Sequence, residues 1–292
     1  MLTSLRIRHF KAWHDTGLVR LAPLTVFFGE HGSGKSSLGQ ALALLRQHAD
    51  ASLPADSPSV PASAPQVEVG WQGGGSRHTW SSQTPDREAA ASLRDGLSFV
   101  GAVQAAPVSR QGTSHAVNAT TLHWLTAMGL TPSLAPEHAE ADASPSTLHA
   151  QHLLDQIFSA PQDGTVWLEH PEGHLHPKAQ AVLMDAFIAT VLAREGGRPR
   201  GVQCILESHS EAFLNRLQRR VAEGVIAPDD VALYICRQQG RHAELEALRL
   251  NAYGDIENWP NDLFGHDMSD IAARTLATLR RRQGPPSTGS PT

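Results

Sequence analysis

Between residues 24 and 42 the chain reads LTVFFGEHGSGKSSLGQAL, and this stretch restricts the fold more than any other. An apolar, β-favouring run at 24–28 breaks at Gly29, passes through a Gly/Ser-rich turn and enters a helix-like segment from about Lys35. Gly29, Gly34, Lys35 and Ser36 fill the fixed places of the phosphate-binding pattern G-x-x-x-x-G-K-[ST], and Gly32, Ser33 and Ser37 complete the candidate loop. Glycines there let backbone N–H groups curl around an anion, and the helix that follows adds its positive dipole end. Lys35 would reach the β- and γ-phosphates of ATP, and the Ser36 hydroxyl would sit on Mg²⁺. Lysine occurs only at positions 11, 35 and 178, which makes a chance match rare.

With 292 residues, 40% of them apolar, the chain is long enough for a large core in one domain or two small ones. A net charge of −5 offers no whole-surface attraction for nucleic acid, so any DNA contact would be local or made through a partner. Cys204 and Cys236 sit in strand-like apolar runs and read as buried, reduced thiols. There is no signal-peptide pattern and no apolar run of about 18 residues, so a cytoplasmic location without membrane contact is expected.

Residues 1–23 alternate apolar and polar around Leu5 and Ile7, which predicts a strand and a turn near 15–17. Phe10 and Trp13 could flank an adenine ring but suit core packing better. Residues 50–65 and 131–146 are Pro/Ser/Ala-rich or otherwise aperiodic and read as flexible linkers. Between them, two alternating runs around 73–75 predict a hairpin, followed by a helix at 87–93, a strand at 97–103 and a helix near 121–128. Gln104, just past that strand, could contact Mg²⁺ or an attacking water. No segment sustains heptads, and there is no internal repeat.

Residues 147–158 place Leu148, Leu153, Ile157 and Phe158 roughly on one helical face, with Ser144, Ser146 and Thr147 as capping candidates. TVWLEHPEGHLHP follows, a buried strand ending in Glu169. An acidic residue at an apolar strand tip, in a chain with a phosphate loop, is a second Mg²⁺ partner. His170, Glu172, His174 and His176 also invite a metal reading, but Pro171 and Gly173 break the helix that H-E-x-x-H sites need. After a helix at 178–194, GVQCILESHSEAFL predicts another buried strand at 202–206, with His209 near its tip where it could bond a γ-phosphate or a polarised water. A helix to Val221, a strand at 231–236, a turn-rich segment and a helix at 269–282 complete the chain before a disordered tail at 285–292.

The order of these motifs resembles an ABC-type ATPase head. More narrowly, GEHGSGKSS, LEHPEGHLHPKAQ, ESHSEAFLNRLQRR and NWPNDLF resemble prokaryotic AAA-annotated ATPases, related to OLD, RecF and SMC-like heads, that carry a C-terminal domain of unknown function. The resemblance covers about residues 1–48 and 148–282. It implies a P-loop NTPase of α/β class: a mostly parallel sheet flanked by helices, with a smaller antiparallel β lobe, forming one head over 1–284 with a shortened insert at 66–130. It also implies a nucleotide sandwiched between two heads of a homodimer, with a separate effector such as a nuclease or toxin, in DNA maintenance or phage defence. Glu169 would hold the metal and His209 would sense the γ-phosphate.

Three departures bear on turnover. His170 stands where ABC heads place the catalytic glutamate; it could act as the base or leave hydrolysis slow, and Glu172 is the nearest substitute carboxylate. The Gly-rich segment that caps the opposing γ-phosphate is absent, leaving Ser144, Ser146 and Thr147 as candidates for that role in trans. Ala102, Val103 and Gln104 stand where an arginine is expected, and the OLD nuclease domain has no counterpart after the histidine motif.

Overall fold

Strand β4 (Leu24–Gly29) is the centre of the molecule, and its first five residues are all buried. In a computed structural model of the chain it pairs in parallel with β11 (Val231–Gln239) on one side and β10 (Gln203–Ser208) on the other. Beyond β10 lies β7 (Thr165–Glu169), also parallel, and β12 (His242–Leu248) closes the opposite edge antiparallel to β11. Strands buried on both faces need near-continuous apolar sequence, which is how VFF, VWL and CIL read. The structure describes residues 1–50, 66–73, 76–81, 118–130 and 144–259. The expected linkers at 51–65 and 131–143, the helix at 87–93, the strand at 97–103, Gln104 and the C-terminal helix and tail lie outside the described residues.

A second, antiparallel sheet is built on β1 (Leu2–Phe10), which pairs with β2 (Trp13–Asp15), β3 (Val19–Arg20) and β5 (Gln66–Gly73). β5 in turn pairs with β6 (Ser76–Ser81), forming the hairpin expected around 73–75. This sheet and helix α1 (Lys35–Asp50) cover one face of the parallel sheet. Their shared core contains Leu5, Ile7, Trp13, Leu38, Val69 and Trp167. Phe27 stacks at 5.7 Å on Trp167 and at 5.3 Å on Tyr234, both tilted by 22°. Phe10 and Trp13 therefore pack into the core, the second of the two roles weighed for them.

Gln203 ties the two sheets together. Its Nε2 donates to Leu2 O (2.8 Å) and Ala22 O (2.9 Å), while its Oε1 accepts from Leu2 N (3.0 Å) and Thr165 Oγ1 (2.9 Å). A buried amide with all four hydrogen bonds made is stabilising only as a complete set, since each orphan costs about 1–3 kcal/mol.

Helices α2 (Ala119–Ala127), α3 (Pro145–Ser159), α4 (Pro177–Leu192) and α5 (Glu211–Ala222) make up the helical layer. Thr121 on α2 donates to Asp155 on α3 at 2.7 Å, and Arg220 on α5 grips Asp185 on α4 through two bonds of 2.8 and 2.9 Å. The residues that α3 buries are Thr147, Ala150, Leu153, Leu154 and Ile157; Leu148 and Phe158, placed on the inner face from the sequence, are only half-buried. Helix α3 starts at Pro145 with Ser144 as its cap, so 144–146 belong to the helix start and not to a linker. Helix α4 ends at Leu192, and a small hairpin of β8 (Arg194–Glu195) and β9 (Arg198–Pro199) follows in place of its expected last turn. Cys204 and Cys236 are free and buried, and burial pushes the Cys204 thiol up to about 12. Among the described residues no helix is long and apolar enough to cross a membrane.

Gly39 gives this packing a direct test. Alanine normally stabilises a helix interior by about 1 kcal/mol relative to glycine. Here a Cβ would lie 2.6 Å from Trp167 Nε1 and 3.1 Å from Glu207 Oε1. Gly39→Ala should instead lower stability by about 1–3 kcal/mol, the usual cost of overpacking, in a urea unfolding curve.

Candidate functional site

Gly29 ends β4 with φ +148°, and a Cβ there would lie 2.2 Å from the Cys236 carbonyl oxygen on the neighbouring strand. Only glycine fits a turn that leaves the sheet this close to β11. The loop then passes through Gly32 (φ +80°) and Gly34 (φ +93°), whose carbonyl accepts from Trp13 Nε1 at 3.0 Å. Ser37 N donates to Gly34 O at 3.0 Å as α1 begins. Lys35 is buried and folds back over the loop, donating to Gly29 O and Glu30 O, both at 2.7 Å, and to Ser33 Oγ at 3.2 Å. Burial lowers its pKa, while Glu207, Glu172 and Glu30 act in the opposite sense.

A cavity of about 290 Å³ opens beside this loop, lined by Lys11, His31, Lys35, Ser36, Gln40 and His170 among others. Two of the three lysines in the chain face it. Glycines where no Cβ could fit, an ammonium satisfied by loop oxygens, and serines at the helix start form a cradle suited to a triphosphate. Gly29, Gly32, Ser33, Gly34, Lys35, Ser36 and Ser37 are thus brought together as the sequence pattern requires.

Glu169 ends β7 half-buried, and burial raises its pKa. Its cross-strand partner is Glu207 on β10, which also pairs with Phe27 on β4 and so shares the face beneath α1. Glu207 is fully buried and accepts from Trp167 Nε1 at 2.7 Å; its Oε2 finds no hydrogen-bond partner among the described residues. Burial, then the neighbouring Glu169, pushes its pKa up to about 7, against the pull of Trp167, Ser36 and Lys35. Sequence reasoning assigned Glu207 no role. The available signal was a carboxylate inside an apolar run, at the register position beside the acidic tip of the next strand.

His170 follows β7 with φ +48°, and its N–H donates to Glu207 O at 2.9 Å. A left-handed non-glycine residue at a strand tip stores strain that the surrounding contacts must hold. Glu172 lies 3.7 Å from His170 Nδ1 and raises the pKa of that ring. The Glu172 Oε1 also accepts from His209 N at 2.7 Å. Glu172, the nearest substitute carboxylate, is therefore anchored through Oε1 to the neighbouring strand tip, while its Oε2 has no hydrogen-bond partner among the described residues. His209 is half-buried, and burial followed by nearby Lys35, His170 and His31 lowers its pKa to about 4. It lines a second cavity of about 560 Å³ with Glu172, Gln180 and Ser210.

The remaining candidates are distributed differently. Ser144 Oγ accepts from Thr147 N at 3.2 Å, Ser146 Oγ donates to His174 O at 2.6 Å, and Thr147 is buried. Of the three, only Ser144 stays exposed, so Thr147 is withdrawn from any role in trans. His176 Nδ1 accepts from Lys178 N at 3.2 Å as the cap of α4, and His174 packs edge-on to His149 at 5.8 Å. The sequence-local group of His170, Glu172, His174 and His176 does not converge on one point.

Glu207 carries a pH prediction. A carboxyl whose folded pKa lies above its unfolded value stabilises the fold most below about 4.5, and that contribution is lost as pH rises to about 7. Glu207→Gln removes this loss. Without nucleotide or metal, the variant should gain on wild type between pH 4.5 and 7 and level off at about 1–3 kcal/mol above pH 7 in thermal unfolding. A difference that does not change with pH would count against a protonated Glu207.

Residues 139–215 match the family model AAA_21, described as "AAA domain, putative AbiEii toxin, Type IV TA system". Residues 226–273 match the model of a protein of unknown function, DUF3696. Among curated proteins no sequence matches the chain. Solved structures with a similar fold include the SMC head domain from Thermotoga maritima (TM-score 0.53, 14% identity), covering 85% of this chain and 98% of that one. An SMC head bound to the C-winged helix domain of ScpA is similar at TM-score 0.53 and 10% identity, with 86% and 98% covered. The Smc head with an extended coiled coil bound to the C-terminal domain of ScpA, from Pyrococcus furiosus, gives 0.52 and 10%, with 96% and 99% covered. At these identities the likeness speaks for the fold, that of a P-loop ATPase head. The two family matches follow one another along the sequence, so over residues 139–215 and 226–273 the chain is similar to AAA-annotated ATPases and then to a domain of unknown function.

Proposed function

We propose that the chain binds ATP with Mg²⁺, dimerises through its nucleotide face and drives or gates a separate effector, a nuclease or toxin, in DNA maintenance or antiviral defence. The supporting observation is the convergence of Lys35 and Ser36 with Glu169 and Glu207 on one sheet face, beside a cavity of about 290 Å³. When bound, ATP–Mg²⁺ supplies the scissile phosphate and the cation that neutralises it. Lys35 would hold the β- and γ-phosphates, Ser36 and Glu169 would hold the metal, and His209 would sense the terminal phosphate. Gln104, outside the described residues, remains a candidate for the metal or the water. The AbiEii description of the matched family and the ScpA-bound SMC heads support a partner protein. The net charge of −5 favours a DNA contact made through the partner over one spread across the whole surface, and the chain would work in the cytoplasm.

A second reading has its own support. His170 occupies the place of the base, and Glu172 is committed to His209 N, so the head would sense ATP and hydrolyse little of it. Both readings share one test. Lys35→Ala loses a charged phosphate contact worth about 1.5–3 kcal/mol, so ATP affinity should fall roughly tenfold or more in titration calorimetry. Equal ATP binding by wild type and variant would end the proposal.

Steady-state phosphate release then separates the two. Slow Mg²⁺-dependent turnover that Lys35→Ala abolishes marks an ATPase. ATP-dependent dimers on a sizing column without phosphate release mark a sensor. Glu169→Gln should accumulate dimers in the first case and change little in the second.

A further inference from the structure

We propose that His31, His170 and His209 together bind one divalent transition-metal ion of the zinc class. They come from three separate segments: the phosphate loop, the tip of β7 and the tip of β10. One ring nitrogen from each lies within 4.8 Å of the others. The His170 and His209 rings stack at 4.6 Å, and His31 lies 4.3 Å from His209 and 5.6 Å from His170.

The chemistry of the donor set fits such an ion. Imidazole nitrogens suit zinc, copper and nickel, whereas magnesium takes oxygen. His209 Nε2 is buried and has no hydrogen-bond partner among the described residues, a loss that a bound cation would relieve. Glu172 sits behind the group, accepting from His209 N at 2.7 Å and lying 3.7 Å from His170 Nδ1. Beside the His170 ring, such a carboxylate can orient a histidine ligand, while toward His209 it fixes the backbone that carries the ring.

Zinc–nitrogen bonds of about 2.0–2.1 Å set tetrahedral ligands roughly 3.3 Å apart, and the ion lies in the plane of each ring it binds, so binding draws the three nitrogens together and turns His170 or His209 out of their stack. His31 can supply part of that movement. It is exposed, and the next residue, Gly32, has open space around its α-carbon at φ +80°. Three protein ligands leave a fourth position for water or an anion. The sequence hides this arrangement because its members are 139 and 39 residues apart, with no short spacing to read.

The test titrates the untagged, nucleotide-free chain with Zn²⁺ alone, and with Co²⁺ followed by visible absorption. One equivalent should bind, with the intense visible bands of four-coordinate cobalt. His31→Ala, an exposed loop change that spares the core, should weaken binding by at least about tenfold, and His170→Ala should do the same. His123→Ala, an exposed change on α2, should leave it unchanged. No stoichiometric site, or one unaffected by both His31→Ala and His170→Ala, overturns the proposal. Because no nucleotide is present, the result stands or falls independently of ATP binding.

Discussion

The closeness of Gly29 to the Cys236 carbonyl governs the architecture of this head. With 2.2 Å between that oxygen and a would-be Cβ, any side chain at position 29 would push β4 away from β11. The chain can therefore turn out of the sheet while still paired to it. The loop carbonyls at 29 and 30 then point at one place, and Lys35 Nζ occupies it. Helix α1 starts there and lies across the aromatic row of Trp167, Phe27 and Tyr234, where Gly39 allows contact with Trp167. A steric requirement at one residue is carried into the placement of a helix, and through it into the position of a charge.

Around that charge the electrostatics are uneven. Glu172 remains anionic because it accepts the His209 N–H and faces His170. Glu207, the cross-strand partner of Glu169, has its pKa pushed up to about 7 because burial and a like charge both disfavour its anion. Glu172 and Glu207 are thus shifted in opposite directions, separated by environment and not by residue type. His209, which lines the larger cavity, has its pKa lowered to about 4 by burial and by its cationic neighbours.

What could be read directly from residues was local. The phosphate loop, the apolar strands ending in acidic or histidine tips, and the hairpin at 66–81 all carry periodicities or glycine positions that short windows display. What could not be read depends on register and long-range approach. Glu207 is chemically distinctive only because its cross-strand partner is Glu169 and its helix neighbour is Ser36. Thr147 reads as a surface hydroxyl until the packing of α3 buries it. Glu172 reads as a spare base until the tip of β10 donates to it. His31 sits at a variable position of the loop pattern, so nothing in its neighbourhood announces two more imidazoles from elsewhere.

The Gln203 amide has a consequence for the order in which this chain can assemble. Its bonds to Leu2 span 201 positions, and β4 finds its two neighbours only in residues 180 and 207 positions after it. Such distant pairings are slow to form because a long loop must close before any contact rewards it. During synthesis β4 must wait for its parallel neighbours until residues 203–239 have emerged. The phosphate loop that it leads into is thus framed late.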